Sequence, residues 1–219
     1  MKKEQSFFLF WGVVFAVFIL FTINLDKLFP LPSPEETLQR LSSLQSTQHS
    51  KETHPGAPLV LEEYSDFQCP YCQSALPLLS KLQEEYGDKL NIVYKHSPLL
   101  QIHPYAGNAA EASECAAEQG KFWEYHDLLF ANQGALDMTS LKVYAAQLNL
   151  DTLRFNQCLD GHEKAHLVEK DLNEAILKGV TGTPTFFINT TKILGADEAA
   201  IRYALDLALE EYEEGKDAI

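Results

Sequence analysis

Two cysteines separated by two residues, Cys69-Pro70-Tyr71-Cys72, give this chain its clearest chemical feature. Such a pair can be half of a zinc site or a redox couple. Zinc calls for a second ligand pair at matching spacing. Cys115 and Cys158 stand alone, and no histidine pair lies near a cysteine. His162 and His166, four apart, read as a solvated helix face. No metal centre is therefore expected, and the redox reading has a mechanism. Ala75, Leu76, Leu78, Leu79 and Leu82 repeat with helical period after Cys72. Cys69 then sits just before the first turn, where unpaired amides and the helix dipole favour a thiolate. A thiolate there attacks a disulfide or leaves one easily, and Cys72, one turn on, can resolve the mixed disulfide. Pro70 at the helix start forfeits no hydrogen bond. Glu63, on the incoming strand, is a candidate to take or relay the proton of Cys72, although it also reads as an ordinary charged strand residue.

The elements that hold this pair follow from the hydrophobic pattern. Leu59 to Tyr64 reads as a strand, the helix after Cys72 ends near Gly87 with Pro77 expected to kink it, and Leu90 to Lys95 reads as a second strand. This is a β-α-β unit with the cysteines at its strand-to-helix junction. Helical patterns follow over 104–118, 121–132, 141–148, 151–159 and 163–178, with Thr139 and Asp151 as plausible N-caps. Val180-Thr181-Gly182-Thr183-Pro184 is a turn. Strands at 185–189 and 192–195 and a last helix over 197–213 complete an α/β order of β-α-β, helical block, β-β-α.

The chain has 219 residues, enough to bury a core without disulfides or metals. Its net charge is −14, which excludes a nucleic-acid backbone as partner and argues against docking on anionic lipid. Gln5 to Leu25 carries no charge and is almost purely apolar, long enough for a membrane-spanning helix. A cleaved signal peptide would want a shorter apolar core and a small-residue cleavage site, and no A-x-A pattern follows. Residues 1–27 are thus read as a signal anchor, with Lys2 and Lys3 on the cytoplasmic side and the body of the chain across the membrane. Residues 28–58, interrupted by Pro30, Pro32 and Pro34, read as a stalk; Leu38, Leu41 and Leu44 allow a short amphipathic helix within it. The globular domain spans 59–212, with a helical insert at about 100–178, and 213–219 form an acidic tail expected to fray. All four cysteines lie in the part placed outside the cytoplasm, where thiols meet oxidising conditions.

Ser65-Asp66-Phe67-Gln68-Cys69-Pro70-Tyr71-Cys72, together with Thr181-Gly182-Thr183-Pro184-Thr185-Phe186-Phe187-Ile188-Asn189, resembles the DsbA-like thiol–disulfide oxidoreductases of the thioredoxin superfamily. Gly120-Lys121-Phe122-Trp123-Glu124-Tyr125-His126-Asp127-Leu128-Leu129-Phe130 is similar to that family as well. The resemblance implies a thioredoxin fold with a helical insertion between its β-α-β and β-β-α halves. It implies that Pro184 is a cis-proline facing the cysteine pair, that Thr183 lines the substrate site beside Pro70 and Tyr71, and that an acidic residue at Glu63 serves the proton transfer. It also implies cysteine-containing secreted or periplasmic proteins as substrates and a quinone-linked membrane partner that regenerates the disulfide. No cofactor is expected beyond a Cys69–Cys72 disulfide. The dipeptide between the cysteines is Pro-Tyr where the best-known oxidases have Pro-His, and Tyr71 cannot stabilise a thiolate as a cation.

Cys115 and Cys158 fall on the first and fourth insert helices. They read as a structural disulfide that ties the insert together, with two unpaired buried thiols or a second redox relay as the alternatives. The expected function is dithiol–disulfide exchange, most simply disulfide formation. An isomerase or reductase, or a non-catalytic metal-binding or chaperone-like module, are the alternatives.

Overall fold

The structure is a computed structural model and describes residues 49–50, 54 and 56–217. The expected signal anchor and nearly all of the stalk lie outside these residues. Among the described residues no helix is long and apolar enough to cross a membrane.

Five strands form one mixed sheet in the order β1-β3-β2-β4-β5. They are β1 (His49–Ser50), β2 (Leu59–Ser65), β3 (Leu90–His96), β4 (Thr185–Ile188) and β5 (Thr191–Leu194). Parallel β2 and β3 are joined through helix α1 (Pro70–Tyr86), which runs on through Pro77 and stops at Gly87, whose φ of 54° suits a residue without Cβ. Then come the insert helices α2 (Ala106–Ala117), α3 (Phe122–Ala131), α4 (Met138–Gln147), α5 (Thr152–Asp160) and α6 (Ala165–Leu177). Antiparallel β4 and β5 turn at Asn189, which sits in the left-handed region, and α7 (Glu198–Asp217) closes the order.

Alternation along β2 explains the layers. Leu59 and Leu61 pack with Leu79 and Leu82 of α1 and with Ile201 and Leu205 of α7. Glu62 and Tyr64 face α6 instead: the Tyr64 hydroxyl donates to Glu174 at 2.8 Å and Lys178 pairs with Glu62. Buried Lys95 of β3 joins the same face through Asp171 at 3.3 Å and Glu174 at 3.0 Å. Burial alone would raise the Glu174 carboxyl, but the hydrogen bonds from Lys95 and Tyr64 hold it down at about 2.

A second core belongs to the insert. Phe67, Tyr94, Ala112, Phe122, Tyr125, Leu129, Leu141 and Phe155 are buried together in it. Cys115 of α2 and Cys158 of α5 are bonded there, so among the three readings of these cysteines the structure has the disulfide.

The element boundaries differ from the sequence pattern in three places. Asp137, not Thr139, caps α4, accepting from the Thr139 and Ser140 amides at 3.0 and 3.2 Å; the helix starts two positions earlier than the Thr139 cap would place it. The last helix continues to Asp217, carried by strong helix formers such as Ala, Leu and Glu. His49–Ser50, read as stalk, pairs antiparallel with Tyr94 and Val93 at the edge of the sheet.

Candidate active site

Cys69 is the N-cap of α1, with extended backbone and no side-chain cap, and Pro70 occupies the first turn. No side-chain oxygen caps the helix start, so the Tyr71 and Cys72 amides there can act on the Cys69 sulfur. Both Cys69 and Cys72 are free thiols in the structure. Cys69 is only 3% exposed and Cys72 is fully buried. The cover over Cys69 comes from the far half of the chain: its thiol donates to the Thr183 carbonyl at 3.3 Å. The Thr183–Pro184 bond is cis, in agreement with the expectation for Pro184. Tyr71, between the cysteines, is 71% exposed.

The two thiols are driven apart in acidity. The Cys72 thiol hydrogen-bonds to the Cys69 sulfur and pulls its pKa well below that of an ordinary thiol. Burial opposes this, but the Thr183 side chain and the Cys72 and Tyr71 amides add to it. The Thr183 hydroxyl is buried with no other hydrogen-bond partner, so it is a ready donor to a thiolate. Burial first, and then the bond to Cys69 and the charge of Glu63, push Cys72 far above the ordinary thiol range. Glu63 itself, 2% exposed, is raised by burial to about 7; the Ser65 hydroxyl offsets only part of this, and the Cys69 charge adds to it. One Glu63 oxygen is buried without a partner. A cavity of about 320 Å³ reaches Glu63 and is lined also by Gln73, Leu76, Trp123, His126 and Phe130. This is room for water beside a carboxyl poised to exchange a proton near neutral pH.

Sequence reasoning did not single out the groups that brace this loop. Asp66, buried, accepts from the Gln68 amide at 2.7 Å, from the Leu99 amide at 2.8 Å, and pairs with His103 at 2.7 Å. Gln133, from the insert, donates to the Phe67 and Cys69 carbonyls at 2.8 and 3.0 Å. The α3 motif packs here too: Phe67 meets Phe130 at 5.0 Å and His126 at 5.7 Å between ring centroids. The motif was visible in the sequence. Gln133, 64 residues from Cys69, left no local signal.

The thioredoxin family model matches residues 53–206. Solved structures agree with the fold. BdbD from Bacillus subtilis in its oxidised form superposes with a TM-score of 0.66 at 23% identity, over 74% of this chain and 93% of that one. Alpha-DsbA1 of Wolbachia pipientis gives 0.63 at 26% identity, over 78% and 96%. DsbA2 of Pseudomonas aeruginosa gives 0.57 at 28% identity, over 69% and 88%. The chain belongs to the thioredoxin family, within the DsbA-like thiol–disulfide oxidoreductases. It is also 47% identical over 133 residues to a protein named Na(+)/H(+) antiporter NhaA 3 from Salinispora tropica, and 46% identical to NhaA 1 of Salinispora arenicola. Those matches cover 61% of this chain and only 20% of either relative.

Proposed function

We propose that this chain is a membrane-anchored oxidoreductase that donates the Cys69–Cys72 disulfide to cysteine-bearing proteins outside the cytoplasm. The observation that carries the reading is the opposed acidity of two thiols in one turn, beside the Thr183–Pro184 segment. A substrate thiolate attacks Cys69 Sγ, a new S–S bond forms, and the Cys69–Cys72 bond breaks. Cys72 leaves as a thiolate and takes a proton, for which Glu63 is the adjacent donor. The second substrate thiolate then attacks the first substrate sulfur of the mixed disulfide, forming the substrate disulfide and expelling Cys69, a good leaving group because its thiolate is stabilised. Substrate is oxidised by two electrons and the enzyme dithiol receives them. Pro70, Tyr71 and Thr183 line the approach to Cys69, and exposed Tyr71 offers an apolar face to an extended segment.

Net oxidation needs a partner in the membrane that re-forms the disulfide. The uncharged stretch from Gln5 to Leu25 supports the anchor, and Lys2 and Lys3 support an extracytoplasmic catalytic domain. A stabilised Cys69 thiolate favours the reduced enzyme, which makes the disulfide more oxidising. The test is the redox equilibrium of the full chain against glutathione, with Cys69 and Cys72 followed by thiol trapping. The expected potential lies well above the roughly −270 mV of thioredoxin. A value at or below that level would replace the oxidase reading with a reductase.

A further inference from the structure

We propose that His49, His96 and Glu114 form a binding site for one divalent transition-metal ion of the zinc class, which clamps the segment around His49 to the domain. Three ligand-type atoms on three elements converge: His49 from β1, His96 from the end of β3 and Glu114 from α2 all place nitrogen or oxygen atoms within 4.8 Å of one another. His49 Nε2 lies 2.7 Å and His96 Nε2 2.8 Å from the same Glu114 oxygen. The His96 and Glu114 side chains are 1% exposed, and that of His49 is 14% exposed.

The arrangement suits a small ion. Zinc bonds imidazole nitrogen and carboxylate oxygen at about 2.0–2.2 Å, so tetrahedral ligands stand roughly 3.3 Å apart. The two histidine nitrogens need to move from the shared Glu114 oxygen by only about 0.5 Å to admit one, and they already lie within 4.8 Å of each other. The donor set selects the class of ion. Two imidazoles and one carboxylate suit zinc and its neighbours, whereas calcium takes six to eight oxygens. The ligands are also held in place. The His49 ring is stacked on Phe122 at 3.5 Å and 7°, and the His96 amide donates to Asp171 at 3.1 Å. His96 Nδ1 is buried with no hydrogen-bond partner, so with Nε2 on the ion its N–H lacks the outer acceptor that usually orients a metal-bound imidazole. Binding exchanges the two N–H···O contacts for metal bonds and releases any proton that an imidazolium carried.

The site is distinct from the cysteine pair, which could itself take up the same ions when reduced. The full chain is therefore purified in detergent with Cys69–Cys72 oxidised, and titrated with cobalt(II) and with zinc alone. Cobalt uptake saturating at one equivalent with visible absorption bands is expected. Zinc raises the thermal midpoint. His49→Ala and Glu114→Gln weaken uptake at least about tenfold. His49→Gln keeps a hydrogen-bond donor toward Glu114 but lacks the imidazole; it folds as wild type does, and loses the metal. Absence of saturable cobalt uptake overturns the site, as does uptake unchanged in His49→Gln. A thermal response to calcium but not to zinc overturns the assigned class of ion.

Discussion

Cys69 and Glu63 each carry a titration that can be measured. Cys69 is held below the ordinary thiol range, so thiolate absorbance at 240 nm of the reduced protein is expected to titrate with a midpoint well below 8.5. Cys69→Ala abolishes both this titration and exchange activity. Cys72→Ala keeps the attacking thiol but loses the thiol that hydrogen-bonds to it; its midpoint rises and mixed disulfides accumulate. Glu63 has the opposite sign. Its folded value of about 7 exceeds its ordinary 4.5, so between these two values the native state holds a proton that the unfolded chain has lost. Stability therefore falls as pH rises through this window, and above it the buried carboxylate costs roughly 3 kcal/mol. Glu63→Gln should stabilise the protein by a large part of that at pH 8 and by almost nothing at pH 4, as read by urea unfolding. It should also slow release of Cys72 from the disulfide.

At the scale of elements, the loop carrying the cysteines is braced from the insert. Gln133→Ala leaves the Phe67 and Cys69 carbonyls without their side-chain donor and is expected to cost about 1–3 kcal/mol. Its diagnostic effect is a change in Cys69 reactivity toward an alkylating agent, which a remote stability mutation does not produce. The disulfide between α2 and α5 closes a stretch of 43 residues. Replacing both Cys115 and Cys158 with Ala is expected to cost about 2–4 kcal/mol through the unfolded state, with the redox equilibrium of Cys69–Cys72 unchanged. A shift in that equilibrium would assign the second pair a redox role instead.

For the whole molecule, the depressed Cys69 pKa links catalysis to stability. A thiolate favoured only in the fold stabilises the reduced protein, fully so above the unfolded thiol value. That contribution is lost as pH falls through the lowered Cys69 pKa. The thermal midpoint of the reduced form minus that of the oxidised form should therefore decrease steadily on acidification. A pH-independent difference would remove the thiolate from the account of oxidising power.

The α/β order and the placement of the cysteine pair at a strand-to-helix junction were legible along the chain, because hydrophobic period and turn residues act over a few neighbours. The helix start after Cys69, the strand carrying Glu63 and the turn at Thr183–Pro184 are all of this local kind. The exact capping of α4 was not, since Asp137 and Thr139 both suit an N-cap and only backbone geometry separates them. The pairing of Cys115 with Cys158 was the leading reading of those two residues, and the packing of α2 against α5 realises it. The acidity of Cys69, the burial of Glu63 and the meeting of His49, His96 and Glu114 belong to tertiary structure for one reason. Each depends in part on groups far apart in the chain, Thr183 lying 114 residues from Cys69 and Glu114 lying 18 from His96, brought together only when the sheet and insert close around them and exclude water.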